Sequence, residues 1–275
     1  MSEKRKEHLA WIDILRGLAS LGVVVFHVRR DLWVGWTELQ AHPDQYSLFD
    51  RLAGWLSAPT PFLGSGVMLF FLLSGFCIHY PQAGARRWDV KEYAARRFWR
   101  IYPPYLAAVL FTVLAERLVN VIGSQIISGP SSILASAVMI QNYGFGQLAG
   151  NPSLWSLPVE MELYLVYPLV LLLLWKLSSG LTLGVVGLVS MAAMVLPLFS
   201  GADWVAGNFA KFWIIWCAGA YLAECKQTGK LPPWKPWLSV AAGVALLACV
   251  AAHAVGIKEG PMHHAWAAVY FLLLW

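Results

Sequence analysis

Long apolar runs broken by short clusters of charge dominate the chain. A helix needs roughly 20 mostly apolar residues to cross a bilayer, and such runs occur at 9–29, 60–80, 103–121, 153–175, 181–199, 207–224 and 236–256. Another opens near His264 and is still apolar at Trp275. The pattern predicts an all-α, polytopic transmembrane helix bundle with about eight to nine membrane segments in residues 1–275, read as a single membrane domain. The last helix reads as cut short, so the domain is expected to be incomplete at its C-terminal end. The longest connections are 30–59, which holds Pro43 and Pro59, and 122–152, rich in Gly and Ser. Within the second, SSILASAVMIQNY (131–143) is apolar but short, and reads either as a short membrane helix or as one lying in the interface.

That choice sets the topology, and the basic residues weigh on it. If 131–143 does not span and the N-terminus is inside, the Lys and Arg of loops and flanks, all but Arg16, divide thirteen to six in favour of the cytoplasmic side. If it spans, the division falls to eleven to eight. Cytoplasmic loops carry the excess of Lys and Arg, so the first topology is favoured. Both put the N-terminus and the loop 81–102, with Arg86, Arg87, Lys91, Arg96, Arg97 and Arg100, inside. Lys4, Arg5 and Lys6 ahead of the first run resemble a signal peptide, but no small-residue cleavage site follows, so a retained first helix is expected. Trp33, Trp36, Trp55, Trp88, Trp99, Trp234 and Trp237 fall near the ends of the runs, as interfacial anchors do.

Composition agrees: of 275 residues 59% are hydrophobic and 13% charged, too little polar surface to cover a soluble domain. The net charge of +5 sits beside the spans and reads as orientation, with no nucleic-acid partner expected. Cys77, Cys217, Cys225 and Cys249 lack a metal-ligand spacing and read as small apolar fillers, and no metal is expected.

Candidate chemistry begins in the first run, WIDILRGLASLGVVVFHVRR. At 100° per residue the step from Arg16 to His27 returns to within about 20° of the same direction, and Asp13 and Ser20 share the arc. Each charge facing hydrocarbon costs on the order of 3 kcal/mol or more, so the stripe is expected to face protein or a water-filled cavity. A plainer reading stands beside it, in which Asp13 and Arg16, at i and i+3, neutralise each other and His27 sits at the outer interface. In the second run Ser74 and Gly75 let a neighbouring backbone approach, and His79 reads as an interfacial histidine. Arg97 and Arg100, also at i and i+3, can converge on phosphate, which arginine binds bidentately. In NPSLWSLPVEMELYLVYP, Glu160 shares a helical face with Ser153, Ser156, Tyr164 and Tyr167, while Glu162 points elsewhere. A carboxylate within a span needs a partner, structural or functional.

Four segments together resemble the membrane acyltransferase-3 family: IDILRGLASLGVVVFH (12–27), FFLLSGFCI (70–78), ARRFWRIYPPYL (95–106) and SLWSLPVEMELY (153–164), with a weaker match in FWIIWCAGAYLAE (212–224). The resemblance implies a bundle of about ten helices that O-acylates carbohydrate or other cell-envelope acceptors from an acyl-CoA, most commonly acetyl-CoA. It implies a multi-pass protein of the bacterial inner membrane, with membrane lipids and a carbohydrate or glycolipid acceptor as partners. The family's arginine-to-histidine motif falls on Arg16 and His27, its paired arginines on Arg97 and Arg100, and its glutamate on Glu160. Pro158 stands where Ser is more usual, and His79 where an apolar residue is common.

On that resemblance His27 is the expected general base, with a pKa suited to accepting a proton at physiological pH. Glu160 is its expected carboxylate partner in the outer half of the bundle. Arg97 and Arg100 are expected to hold the phosphates of CoA at the cytoplasmic mouth, and Arg16 to line the route between. Asp13, Ser20, Ser156 and Tyr164 are expected in support. A polytopic exporter of a lipid-linked glycan is the alternative that the composition leaves open.

Overall fold

The structure, a computed structural model, describes residues 3–83, 89–123, 125–201, 207–230, 233–254 and 259–275. Arg86, Arg87, Trp88 and Lys258 lie outside the described residues, as do the side chains of Lys4, Arg5, Lys6, Arg30 and Trp36. Among the described residues there is no strand. The fold is an all-α polytopic helical bundle, in which six stretches are long and apolar enough to cross a membrane. The chain divides into two compact units, residues 1–74 with 232–275, and residues 75–231.

The first unit begins with α1 (Glu3–Leu32), followed by the short helices α2 (Trp36–Ala41) and α3 (Leu48–Leu56). Ser47 and Asp50 close a capping box on α3, each satisfying the other's backbone amide at the helix start. A 3-10 turn over Thr60–Ser65 then leads directly into α4 (Gly66–His79), which continues into the second unit. At about 2.0 Å per residue in the turn and 1.5 Å in the helix the two together reach about 33 Å, enough for the second span that the apolar run 60–80 predicts. The turn packs on α1, where small residues permit close approach. A methyl group on Gly66 would meet the Ala19 carbonyl oxygen at 3.1 Å, and one on Gly64 would meet the Phe26 ring at 3.3 Å. Arg29 ties the far end of α1 down, donating from Nε to Ser57 Oγ (2.7 Å) and from a terminal nitrogen to the Val34 carbonyl (2.9 Å). The unit is completed by α10 (Pro236–Ala254) and α11 (Glu259–Leu274). Cys249, Met262, Trp266 and Val269 form their shared core, with Phe62 and Tyr270 packed against it. Ser65 Oγ and the Tyr270 hydroxyl share a hydrogen bond of 2.5 Å.

The second unit holds the end of α4 together with α5 (Val90–Val121), α6 (Pro130–Ala137), α7 (Ser156–Lys176), α8 (Ser179–Ser200) and α9 (Phe209–Thr228). α5 departs from the expected 103–121. It starts at Val90, where Asp89 caps it by accepting from the Glu92 amide (2.9 Å), and runs unbroken through Pro103 and Pro104. Arg97 and Arg100 are therefore part of the helix itself. The ambiguous stretch 131–143 becomes α6, eight residues long, and a 3-10 turn at Gln141–Tyr143. Eight residues rise only about 12 Å, so α6 does not cross a bilayer. Tyr105 anchors it by donating to the Ser136 carbonyl (2.8 Å) while accepting from Gln141 Nε2 (2.8 Å).

Glu116, nearly fully buried near the end of α5, gathers the following loops. Its carboxylate accepts from the Ser128 amide (2.8 Å), the Ser128 hydroxyl (2.7 Å) and the Gly150 amide (2.7 Å). α9 matches the other spans in length but carries Lys211, Glu224 and Lys226. It packs on α8, where Ser190 Oγ accepts from the Ile214 amide (3.0 Å), and on α4, where Gly75 faces the Trp216 backbone. The four cysteines are free thiols, and Cys217, Cys225 and Cys249 are buried.

Candidate active site

In the second unit six side chains converge from four helices. α5 presents Tyr93 and Arg97 one turn apart, α7 presents Tyr164 and Tyr167, α4 ends on His79, and α9 contributes Glu224. The Arg97 guanidinium carbon lies 5.7 Å from the Tyr93 ring centre and 5.5 Å from that of Tyr164, placing the cation between two aromatic rings. Such a contact returns about 0.5–2 kcal/mol per ring, more when desolvated. The Tyr93 hydroxyl donates to the Tyr164 carbonyl (3.2 Å), which fixes α5 against α7 at this level. The Tyr164 hydroxyl donates to Glu160 Oε1 one turn earlier on α7. One tyrosine thus touches both the arginine and the carboxylate that the sequence set at opposite depths. They are neighbours because α5 begins thirteen residues sooner than its apolar run, bringing its first turns alongside the middle of α7.

The three arginines at the start of α5 differ in their surroundings. Arg96 is exposed and pairs with Glu92 at 3.3 Å, an i,i+4 surface pair. Arg100 is exposed. Arg97 is half-buried, has no carboxylate within ion-pair distance among the described residues, and its Nε is buried without a hydrogen-bond partner.

Below the arginine lies a second group that the sequence did not single out. His79 is 2% exposed; its Nε2–H donates to Glu224 Oε2 (2.8 Å), and the Tyr167 hydroxyl donates to its Nδ1 (3.1 Å). A carboxylate only accepts, so it fixes the imidazole tautomer. Tyr167 is fully buried, its ring 5.5 Å from that of Tyr93. The expected interfacial histidine is therefore a core residue. The signal available in the sequence was Glu224, a lone carboxylate near the end of an apolar run, which needed a partner for the same reason as Glu160.

Other residues of α7 go elsewhere. Ser153 falls in the 3-10 turn Pro152–Trp155 and bonds to Asn151, so it leaves the expected helical face. Ser156 opens α7, partly exposed. Glu162, on the far side of the helix from Glu160, accepts from the Phe209 amide (2.8 Å) at the start of α9. It also lines a cavity of about 590 Å³ with Phe98, Tyr102, Tyr143, Pro158 and Met161. Burial beside this carboxylate pushes the Tyr143 phenol up to about 12.

The first unit carries the stripe of α1. Its packed face is Ile12, Ala19, Gly22, Val23 and Phe26, and the polar arc lies about 90° around the helix from it. Arg16 and His27 border the packed face and are half-buried; Asp13 and Ser20 are exposed. Arg16 approaches Asp13 at 3.7 Å, as the plainer reading expected, and Ser20 Oγ donates to the Arg16 carbonyl (3.0 Å). The His27 ring stands edge-on to Phe26 with centres 5.0 Å apart.

Against known families, the model described as an acyltransferase domain (Acyl_transf_3) matches residues 9–275. The chain belongs to the acyltransferase-3 family. Similar curated proteins include the O-acetyltransferase OatA of Staphylococcus aureus, from strains NCTC 8325 / PS 47 and COL. Each is 28% identical over 218 residues, covering 71% of this chain and 31% of the relative. The chain thus spans about a third of the length of these relatives. No solved structure matches it. Within the acyltransferase-3 pattern, the paired arginines and the glutamate stand in the second unit and the arginine-to-histidine motif in the first. His79 follows directly on the SGF segment (70–78), and Glu224 ends the weaker matching segment (212–224).

Proposed function

We propose that the protein is an integral membrane O-acyltransferase that moves an acyl group, acetyl in the first instance, from acyl-CoA to a hydroxyl of a carbohydrate or other cell-envelope acceptor. The observation that carries this reading is Arg97, a half-buried cation against two tyrosine rings with no carboxylate within ion-pair distance among the described residues, in a chain of the acyltransferase-3 family. Phosphate oxygens of the CoA nucleotide suit that guanidinium, and the exposed Arg100 supplies a second one.

The orientation follows from the charges. With α6 too short to span, the favoured division of basic residues puts the N-terminus and the start of α5 on the cytoplasmic side of the bacterial inner membrane, where CoA is found. His27 accepts the proton of the acceptor hydroxyl as its oxygen attacks the thioester carbonyl. When the tetrahedral intermediate collapses, the C–S bond breaks and the imidazolium returns the proton to the departing thiolate. The products are the O-acyl acceptor and CoA thiol. Glu160, held by Tyr164, supplies a fixed negative charge on the same tyrosine that braces Arg97, and Arg16 supplies a further cation for the donor.

The test uses membranes carrying the protein, acetyl-labelled acetyl-CoA and a panel of envelope glycans, with CoA release and label transfer read together. Release coupled to an acceptor is expected, as opposed to glycan movement without it. His27→Ala is expected to abolish transfer. Arg97→Ala is expected to raise the donor KM by about 10- to 100-fold, as loss of a charge-assisted contact does, whereas Arg96→Ala changes it less than about twofold. Unchanged transfer in His27→Ala would overturn the base assignment, and absence of acceptor-dependent CoA release would overturn the enzyme reading.

A further inference from the structure

We infer that His79 is a positioning residue for the donor, acting through Tyr167 and Tyr93 on Arg97; this rests on the reading of Arg97 as the donor's anion site. The connection is continuous. Glu224 holds Nε2 of His79 at 2.8 Å, Nδ1 of His79 holds the Tyr167 hydroxyl at 3.1 Å, the Tyr167 ring lies 5.5 Å from the Tyr93 ring, and the Tyr93 ring lies 5.7 Å from the Arg97 guanidinium. His79 and Tyr167 have almost no exposed surface, so neither meets a substrate directly. What they set is the seat of the arginine.

Simple cohesion does not require this arrangement. α4 and α9 already meet at Gly75 and Trp216, and Gln227 Nε2 donates to the Tyr80 carbonyl (3.0 Å) to close the end of α4 onto α9. A buried hydrogen-bonded imidazole adds little to packing that an apolar side chain of its size would not give. It does fix direction, since the two ring nitrogens require a carboxylate on one side and a hydroxyl on the other. Tyr167 is thereby held at one angle, and with it the aromatic wall against which Arg97 lies. A guanidinium pre-oriented for a bidentate contact loses less freedom when the anion arrives.

The consequence is specific to donor binding. In the full chain in membranes, with acetyl-CoA as the probe, His79→Leu is expected to raise the donor KM about tenfold at nearly unchanged kcat, the pattern of lost binding that is uniform between ground and transition states. His79→Gln places an amide N–H toward Glu224 and a carbonyl toward Tyr167, and is expected to restore most of the affinity. In an Arg97→Ala background His79→Leu is expected to change KM no further, because two residues acting through one contact are not additive. Should His79→Leu fail to accumulate as folded protein, Glu224→Gln, which keeps the volume and removes the charge, replaces it with the same expected direction. The inference is overturned if the KM of a folded His79 or Glu224 variant matches wild type, if kcat alone falls, or if the KM effect persists undiminished without Arg97. Failure of the donor reading itself looks different: wild-type protein releases no CoA, or Arg97→Ala leaves the donor KM unchanged.

Discussion

Replacing Gly75 by alanine tests the tightest helix crossing in the second unit. A methyl group built there lies 1.9 Å from the Trp216 carbonyl oxygen and 2.8 Å from its carbonyl carbon, where side-chain carbons essentially never come within 3.0 Å of another heavy atom. Both obstructing atoms are backbone, so no rotamer change relieves the clash. α4 and α9 must separate by at least about 1.1 Å at this level, a shift of the kind that overpacking forces at about 1–3 kcal/mol. His79 is one turn farther along α4. Its 2.8 Å bond to Glu224 on α9 would stretch to about 3.9 Å, beyond hydrogen-bond reach, forfeiting a further 1.5–3 kcal/mol or so. Against this, alanine gains up to about 1 kcal/mol over glycine in a helix. The net expectation is a loss of about 3 kcal/mol, or about 6–12 °C in the midpoint of thermal unfolding for a unit of this size. Gly184→Ala on α8, where nothing lies within 4 Å of the added carbon, supplies the control and is expected to be neutral or slightly stabilising. Tryptophan fluorescence of the purified protein in detergent, scanned in temperature, measures both. A Gly75→Ala protein that melts with or above the Gly184→Ala control would refute the crossing and, with it, the strained path to His79.

Two other perturbations follow from the same geometry. Glu116→Ala leaves the Ser128 and Gly150 amides without their acceptor, an expected loss of about 3–5 kcal/mol by the cost of buried unsatisfied donors, and limited proteolysis should show 125–151 cut sooner than in wild type while Glu116→Gln lies between. Tyr143, whose phenol is raised to about 12 from an ordinary value near 10, contributes stability that is complete below about pH 10 and is lost as pH climbs through about 12; unfolding midpoints between pH 9 and 12 should fall less steeply in Tyr143→Phe than in wild type, and parallel curves would count against the buried contact.

The apolar runs located most helices to within a few residues because a span is a matter of length and composition, which a sequence displays directly. The start of α5 was missed for the converse reason. VKEYAARRFWR is too polar to count toward the span; the spacing of Arg97 and Arg100 suggests a helical approach only near its end, and what extends the helix back to Val90 is the Asp89 cap and packing on α7, a tertiary effect. Glu160 with Tyr164 was legible because both lie on one helix, where a wheel fixes their relation. His79 with Glu224 was not, since 145 residues separate them and only the crossing at Gly75 brings their helices together. The packing role of Gly75 was visible as a small residue in a span, though its partner was not.

Among the charged groups tied into the second unit, partners are the rule. Glu116 accepts three hydrogen bonds, Glu160 one from Tyr164, Glu162 one from a helix-start amide, and Glu224 one from His79. Arg97 differs: among the described residues it has no carboxylate within ion-pair distance, and its buried Nε has no hydrogen-bond partner. A half-buried guanidinium gives up part of its hydration, and two aromatic contacts at about 1 kcal/mol each return only part of that. The remainder is a cost that the donor's phosphate would offset on the proposed reading. Glu224, the carboxylate that α9 brings into this group, is engaged by His79 at 2.8 Å. On the proposed reading, the His79–Glu224 hydrogen bond would orient the aromatic wall against which Arg97 lies, and the arginine would meet the donor's anion there.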